Sequence, residues 1–76
     1  MQVQIFKIGD FTWDKDQLLE TIQVKTSSLQ EVQNQVGGAL IRNAKAQWGD
    51  DIRAKADSSI FGGYVTNSKG DCIVAR

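Results

Sequence analysis

Cys72 is the one side chain of this 76-residue chain with the makings of a covalent nucleophile, and it stands without help. A thiol reacts as its thiolate, which needs a base or a nearby positive charge to form at neutral pH. The chain contains no histidine, and the neighbouring Asp71 opposes ionisation rather than favouring it. Cys72 therefore reads as a small apolar residue on a strand. The carboxylate pairs Asp14/Asp16 and Asp50/Asp51 are the next candidates. A calcium site needs about six to eight ordered oxygens, and neither pair sits in such a pattern, so both read as solvated loop and cap carboxylates. Gly37-Gly38 lacks the glycine-rich turn ahead of a helix and the following Lys-Ser/Thr of a phosphate-binding loop. These residues give no ground for an enzyme, a metal or a cofactor.

The remaining residues must then be read as a surface and its support. Nine basic residues balance nine acidic ones, so no net field draws the chain to nucleic acid or to an anionic membrane. No apolar stretch is long enough to span a bilayer, and the first residues do not read as a signal peptide. With a lone thiol, an intracellular, cytoplasmic setting is expected. One domain of this size, residues 1–76, buries only about 60% of its unfolded surface. Without an internal disulfide or a structural metal, self-association is the remaining device for stabilising it, so a homo-oligomer is expected.

Residues 2–8 (Gln-Val-Gln-Ile-Phe-Lys-Ile) predict a strand with apolar side chains on both faces, which fits an inner strand or one shared with a partner. Residues 11–17 read as a loop. Residues 14–26 admit a helix or a strand; the alternation in Thr21-Ile22-Gln23-Val24 favours a strand over about 18–25 that pairs back on the first. Ser28-Leu29-Gln30-Glu31 forms a capping box, in which serine accepts from the third helical amide and glutamate reaches back. A helix is expected from there to about Gln47, with Leu29, Val32, Val36, Ala39, Leu40 and Ala44 on one face and Gly49 as its stop. Strands follow at 52–57, with Ile52, Ala54 and Ala56 inward, at 61–66 and at 72–75. Asn67 to Asp71 reads as a hairpin turn with Gly70 in the left-handed position. The fold class is α+β: a small antiparallel sheet in the order strand-strand-helix-strand-strand-strand, with one long amphipathic helix packed on one face.

Within that frame, Gly37-Gly38 lies inside the helix at a cost of about 1 kcal/mol per glycine. Close packing over the small Ala54 and Ala56, a break in the helix, and the approach of a ligand all fit. Gly62-Gly63 in a strand points to a bulge or a close backbone approach. Ile41 and Trp48 fall about 20° apart around the helix and to one side of its main stripe. With Trp13 and Phe11 in the polar loop, they are the candidate partner contacts, because aromatic residues are enriched at the centres of interfaces. Lys7, Lys25, Arg53 and Lys55 would form a basic sheet face if their strands were neighbours.

The stretch from Thr26 to Ile52 resembles, in pattern, the strand–capped helix–strand unit of many small α+β domains. These include antitoxin-like partial double-stranded-RNA-binding folds and small phage-encoded inhibitors of host defence. The resemblance covers about a third of the chain and implies no site residue. Taken together, these features point to a non-enzymatic protein-binding module, a small regulator or inhibitor of another protein in the manner of phage host-directed inhibitors. The partner is another protein or a second copy. A nucleic-acid binder using the four basic residues, with steep salt dependence, and an oligomer that sequesters a small molecule are the alternatives.

Overall fold

The computed structural model describes residues 1–9 and 16–76. Among the described residues, five strands and one helix follow in the order expected: β1 (Gln2–Ile8), β2 (Gln17–Gln23), α1 (Leu29–Trp48), β3 (Arg53–Ala56), β4 (Gly63–Thr66) and β5 (Cys72–Ala75). The strands form one antiparallel sheet in the order β2-β1-β5-β4-β3, with α1 on one face. Residues 17–23 are thus a strand, as the alternation required, and β1 is an inner strand between β2 and β5.

Pleat parity sorts the side chains. Val3 and Ile5 of β1 face the helix, and the register carries that face to Ile22 and Glu20 of β2, to Ile73 and Ala75 of β5, to Val65 of β4, and to Ala54 and Ala56 of β3. α1 returns Val32, Val36, Ala39, Leu40 and Ala44 to the same layer. Val3, Ile5, Val36, Val65 and Ile73 are the largest fully buried side chains. Leu29, expected on the apolar stripe, is 57% exposed because it starts the helix beyond the end of the core.

The ends of the helix are set by local chemistry. Ser28 Oγ accepts from the Glu31 amide at 3.1 Å, which satisfies one of the first four orphan donors. The reciprocal half of the capping box differs, since the Glu31 carboxylate accepts from the Ser27 hydroxyl instead of the cap amide. Gly49, at φ +61°, closes the helix by donating its amide to the Lys45 carbonyl at 2.9 Å. The Asp51 carboxylate then accepts from the Ser68 amide and hydroxyl, tying the helix exit to the β4–β5 turn. In that turn Gly70 has φ +87°, and the buried Asn67 accepts from the Lys69 and Asp71 amides.

Candidate functional site: a trough beside the edge strand

α1 rests chiefly on β4 and β5, with lesser contact to β1 and β2, and β3 lies outside its main footprint. The consequence is a correction to the sequence reading. Ala54 and Ala56 do point to the helix face, yet both are exposed, because α1 lies chiefly over β4 and β5 and a methyl group is too short to reach it. Between the helix flank and β3–β4 this leaves a trough of about 360 Å³, near the lower end of the roughly 300–1,000 Å³ found for ligand clefts. Its walls are Leu40 and Ile41 on the helix side and Phe61 on the hairpin side, its floor is Ala54 and Ala56, and Gln33 stands at one end.

Gly37 also lines this trough. A Cβ placed on Gly37 or Gly38 would meet nothing within 4 Å. Close helix–sheet packing therefore does not require these glycines, and the helix runs through them unbroken. The geometry thus shows open space beside the helix at these positions, and neither the close packing nor the break that the sequence also admitted. The hairpin glycines behave differently. A Cβ on Gly63 would collide with the Lys55 carbonyl oxygen and lie 3.2 Å from its carbon. Gly62, at φ +86°, would press its Cβ on the Gln33 side chain at 3.3 Å. These two hold β4 close to β3 and let the 57–62 turn swing back toward the helix.

The opposite edge of the sheet is an internal control. There Leu19 and Ile22 of β2 are large and pack against the core. Glu20 accepts two hydrogen bonds from Arg42, at 2.6 and 2.8 Å, and one from Asn43 at 2.8 Å. Those bonds from Arg42, then Asn43, hold the Glu20 carboxyl below its usual range. Long side chains and an ion pair thus fill the gap at β2, whereas at β3 nothing comparable among the described residues fills it.

Of the predicted partner contacts, Ile41 lines the trough and is half-buried. Trp48 packs against the rim of the core further along the helix. Phe11 and Trp13 lie outside the described residues. The basic residues are not brought together. Arg53 and Lys55 share the helix-free face of β3, Lys7 stands on the helix face of β1 in register with Ile73, and Lys25 lies past the end of β2. The helix-free face carries half-buried Phe6, Ile8, Tyr64 and Val74, with Leu18 49% exposed. Arg76 lies over the Phe6 ring at 5.3 Å and pairs with Asp16 at 2.7 Å, so its charge is already engaged.

Cys72 is a free, half-buried thiol on that same face. Burial, rather than the neighbouring carboxylate, pushes its pKa up. Among the described residues, no group of three or more Cys, Asp or Glu side chains could hold a metal ion, and no buried side-chain nitrogen or oxygen lacks a hydrogen-bond partner. No helix among them is long and apolar enough to cross a membrane. Of the residues that line the trough, the sequence reading singled out Ile41 and Gly37, but it missed the trough itself. Its signal was the pair Ala54/Ala56, which was assigned to the core. Comparison with family models, with curated proteins and with solved structures finds no match.

Proposed function

We propose that this chain is a non-enzymatic protein-binding module, a small regulator or inhibitor of another protein, and that the trough beside β3 is its contact surface. The observation that carries this reading is the coincidence of three small residues around one apolar space: Gly37 on the helix, Ala54 and Ala56 on the strand. Each forgoes stability that a larger side chain would add, by helix propensity at Gly37 and by apolar burial at the alanines. The β2 edge, filled by Leu19 and Ile22, indicates that the fold itself does not demand such a gap.

The test is a photo-crosslinking residue in place of Ala56 in the whole chain, expressed in cells of its own source. The expected result is an adduct to one protein that disappears when Gly37→Leu fills the trough. The same crosslinker in place of Gln47, an exposed helix position, should give no such adduct. An adduct indifferent to Gly37→Leu, or one only to a second copy of the chain, overturns the reading.

A further inference from the structure

Resting on that reading, we propose that the occupant of the trough is an extended segment of another protein that adds to β3 as a sixth strand, with acidic side chains on one face and bulky apolar ones on the other.

Among the described residues, β3 ends the sheet and pairs only with β4. The Asp57 amide donates to the Gly62 carbonyl, and the Lys55 carbonyl lies against Gly63, so residues 55 and 57 aim their main-chain groups at β4. Backbone groups alternate along an antiparallel strand, which turns those of Ala54 and Ala56 outward. Two residues' worth of ladder is thus open to an incoming strand, the mode in which main-chain bonds supply affinity and alternate side chains supply specificity.

The side chains specify the newcomer. On the helix face, its residues would lean over Ala54 and Ala56 into a space walled by Leu40, Ile41 and Phe61, which suits leucine-sized or aromatic groups. On the other face it would meet Arg53 and Lys55, neither of which has a carboxylate partner among the described residues. Asp57 continues the strand, but its carboxylate already accepts from the Ser59 amide. Acids are therefore wanted opposite Arg53 and Lys55 and not beyond.

Side-chain size decides between a foreign strand and a second copy. β3 paired antiparallel with itself would bring the other copy's alanines, Ala54 and Ala56, to the helix face, so it would join two empty troughs and fill neither.

The experiment is an NMR titration of the intact chain with a short capped peptide alternating glutamate and leucine. The expected result is shifts confined to β3 and the trough, with the Ala54 and Ala56 amides protected from exchange. Methylating the peptide nitrogens that would pair should weaken binding about tenfold, the effect of losing two net hydrogen bonds. Lysine in place of glutamate should weaken it by a similar factor, and Arg53→Glu with Lys55→Glu should reverse the preference. An N-methylated peptide that binds as well as its parent overturns strand addition, and indifference to peptide charge overturns the acidic assignment. If either occurs while the Ala56 adduct still depends on Gly37, this inference falls and the binding-module reading stands. If the adduct does not depend on Gly37, both fall.

Discussion

Alanine at Gly63 and alanine at Gly37 should move stability in opposite directions, although each adds the same methyl group. At Gly63 the new Cβ would sit 3.2 Å from the Lys55 carbonyl carbon, nearer still to its oxygen, and 3.4 Å from the Ala56 Cα. All three are main chain, so relief requires β3 and β4 to part where they pair. Gly63 does not have a positive φ, so the cost is steric overpacking alone, about 1–3 kcal/mol and at the upper end because no side chain can yield. At Gly37 the Cβ meets nothing, and exchanging glycine for alanine inside a helix should stabilise by about 1 kcal/mol. For a domain of this size each kcal/mol moves Tm by about 4–8 °C. Gly63→Ala should therefore lower Tm by more than about 10 °C, and Gly37→Ala should raise it by about 4–8 °C. Thermal unfolding followed by circular dichroism, with urea midpoints to confirm equal m-values, reads both. A Gly63→Ala protein within about 0.5 kcal/mol of the parent would refute the close-approach argument. A destabilised Gly37→Ala protein would mean the helix flank is not open, and the trough with it.

Three further outcomes follow from the same geometry. Ser28→Ala removes the acceptor of the Glu31 amide and should cost about 1 kcal/mol, seen as a Tm loss that Ser28→Asp restores. Glu20 has a lowered pKa in the folded chain, from its bonds to Arg42 and Asn43, so its contribution is present at neutral pH and lost as pH falls through that lowered value. Because Arg42 is largely exposed, the contribution should be under about 1 kcal/mol and weaken with salt; Glu20→Gln should be the less stable protein at pH 7 and match the parent in strong acid. Burial raises the Cys72 pKa, so the thiol should react with maleimide at pH 7 more slowly than glutathione does, and urea should abolish the difference; reaction as fast as glutathione in the folded state would overturn the assignment.

Local chemistry was legible in the sequence where it was decided locally. The Ser28 cap, the Gly49 stop and the Gly70 turn each depend on residues within a few positions, and all three form as read. The alternation of Thr21 to Val24 was enough to make a strand of a segment whose Leu18-Leu19-Glu20 favoured a helix, because pairing with β1 outweighs propensity. What the residues alone left open was which strands the helix would cover. Alternation put Ala54 and Ala56 on the correct face but could not say that the helix passes over β4 and β5 instead. The same blindness applied to the basic residues. Lys7 and Lys55 are both on strands, and only the register places them on opposite faces.

The trough follows from a mismatch of widths. Five strands spaced about 4.8 Å apart put the outer two about 19 Å from each other, while a helix with its side chains is about 10–12 Å across. One helix cannot roof such a sheet, and each edge must be closed by its own side chains or left open. At β2 the chain closes the edge with Leu19, Ile22 and the Glu20–Arg42 pair. At β3 the equivalent positions hold two alanines, and a helical glycine lines the same open space. If the open edge were only a shortfall of the fold, Ala54→Leu and Ala56→Leu would add apolar burial worth about 1 kcal/mol or more each and would leave binding untouched. If the edge is the contact surface, the same substitutions still raise Tm but remove the Gly37-dependent adduct and the peptide-induced shifts. Stability rising while recognition is lost is the signature that separates a surface kept open for a partner from one merely unfilled.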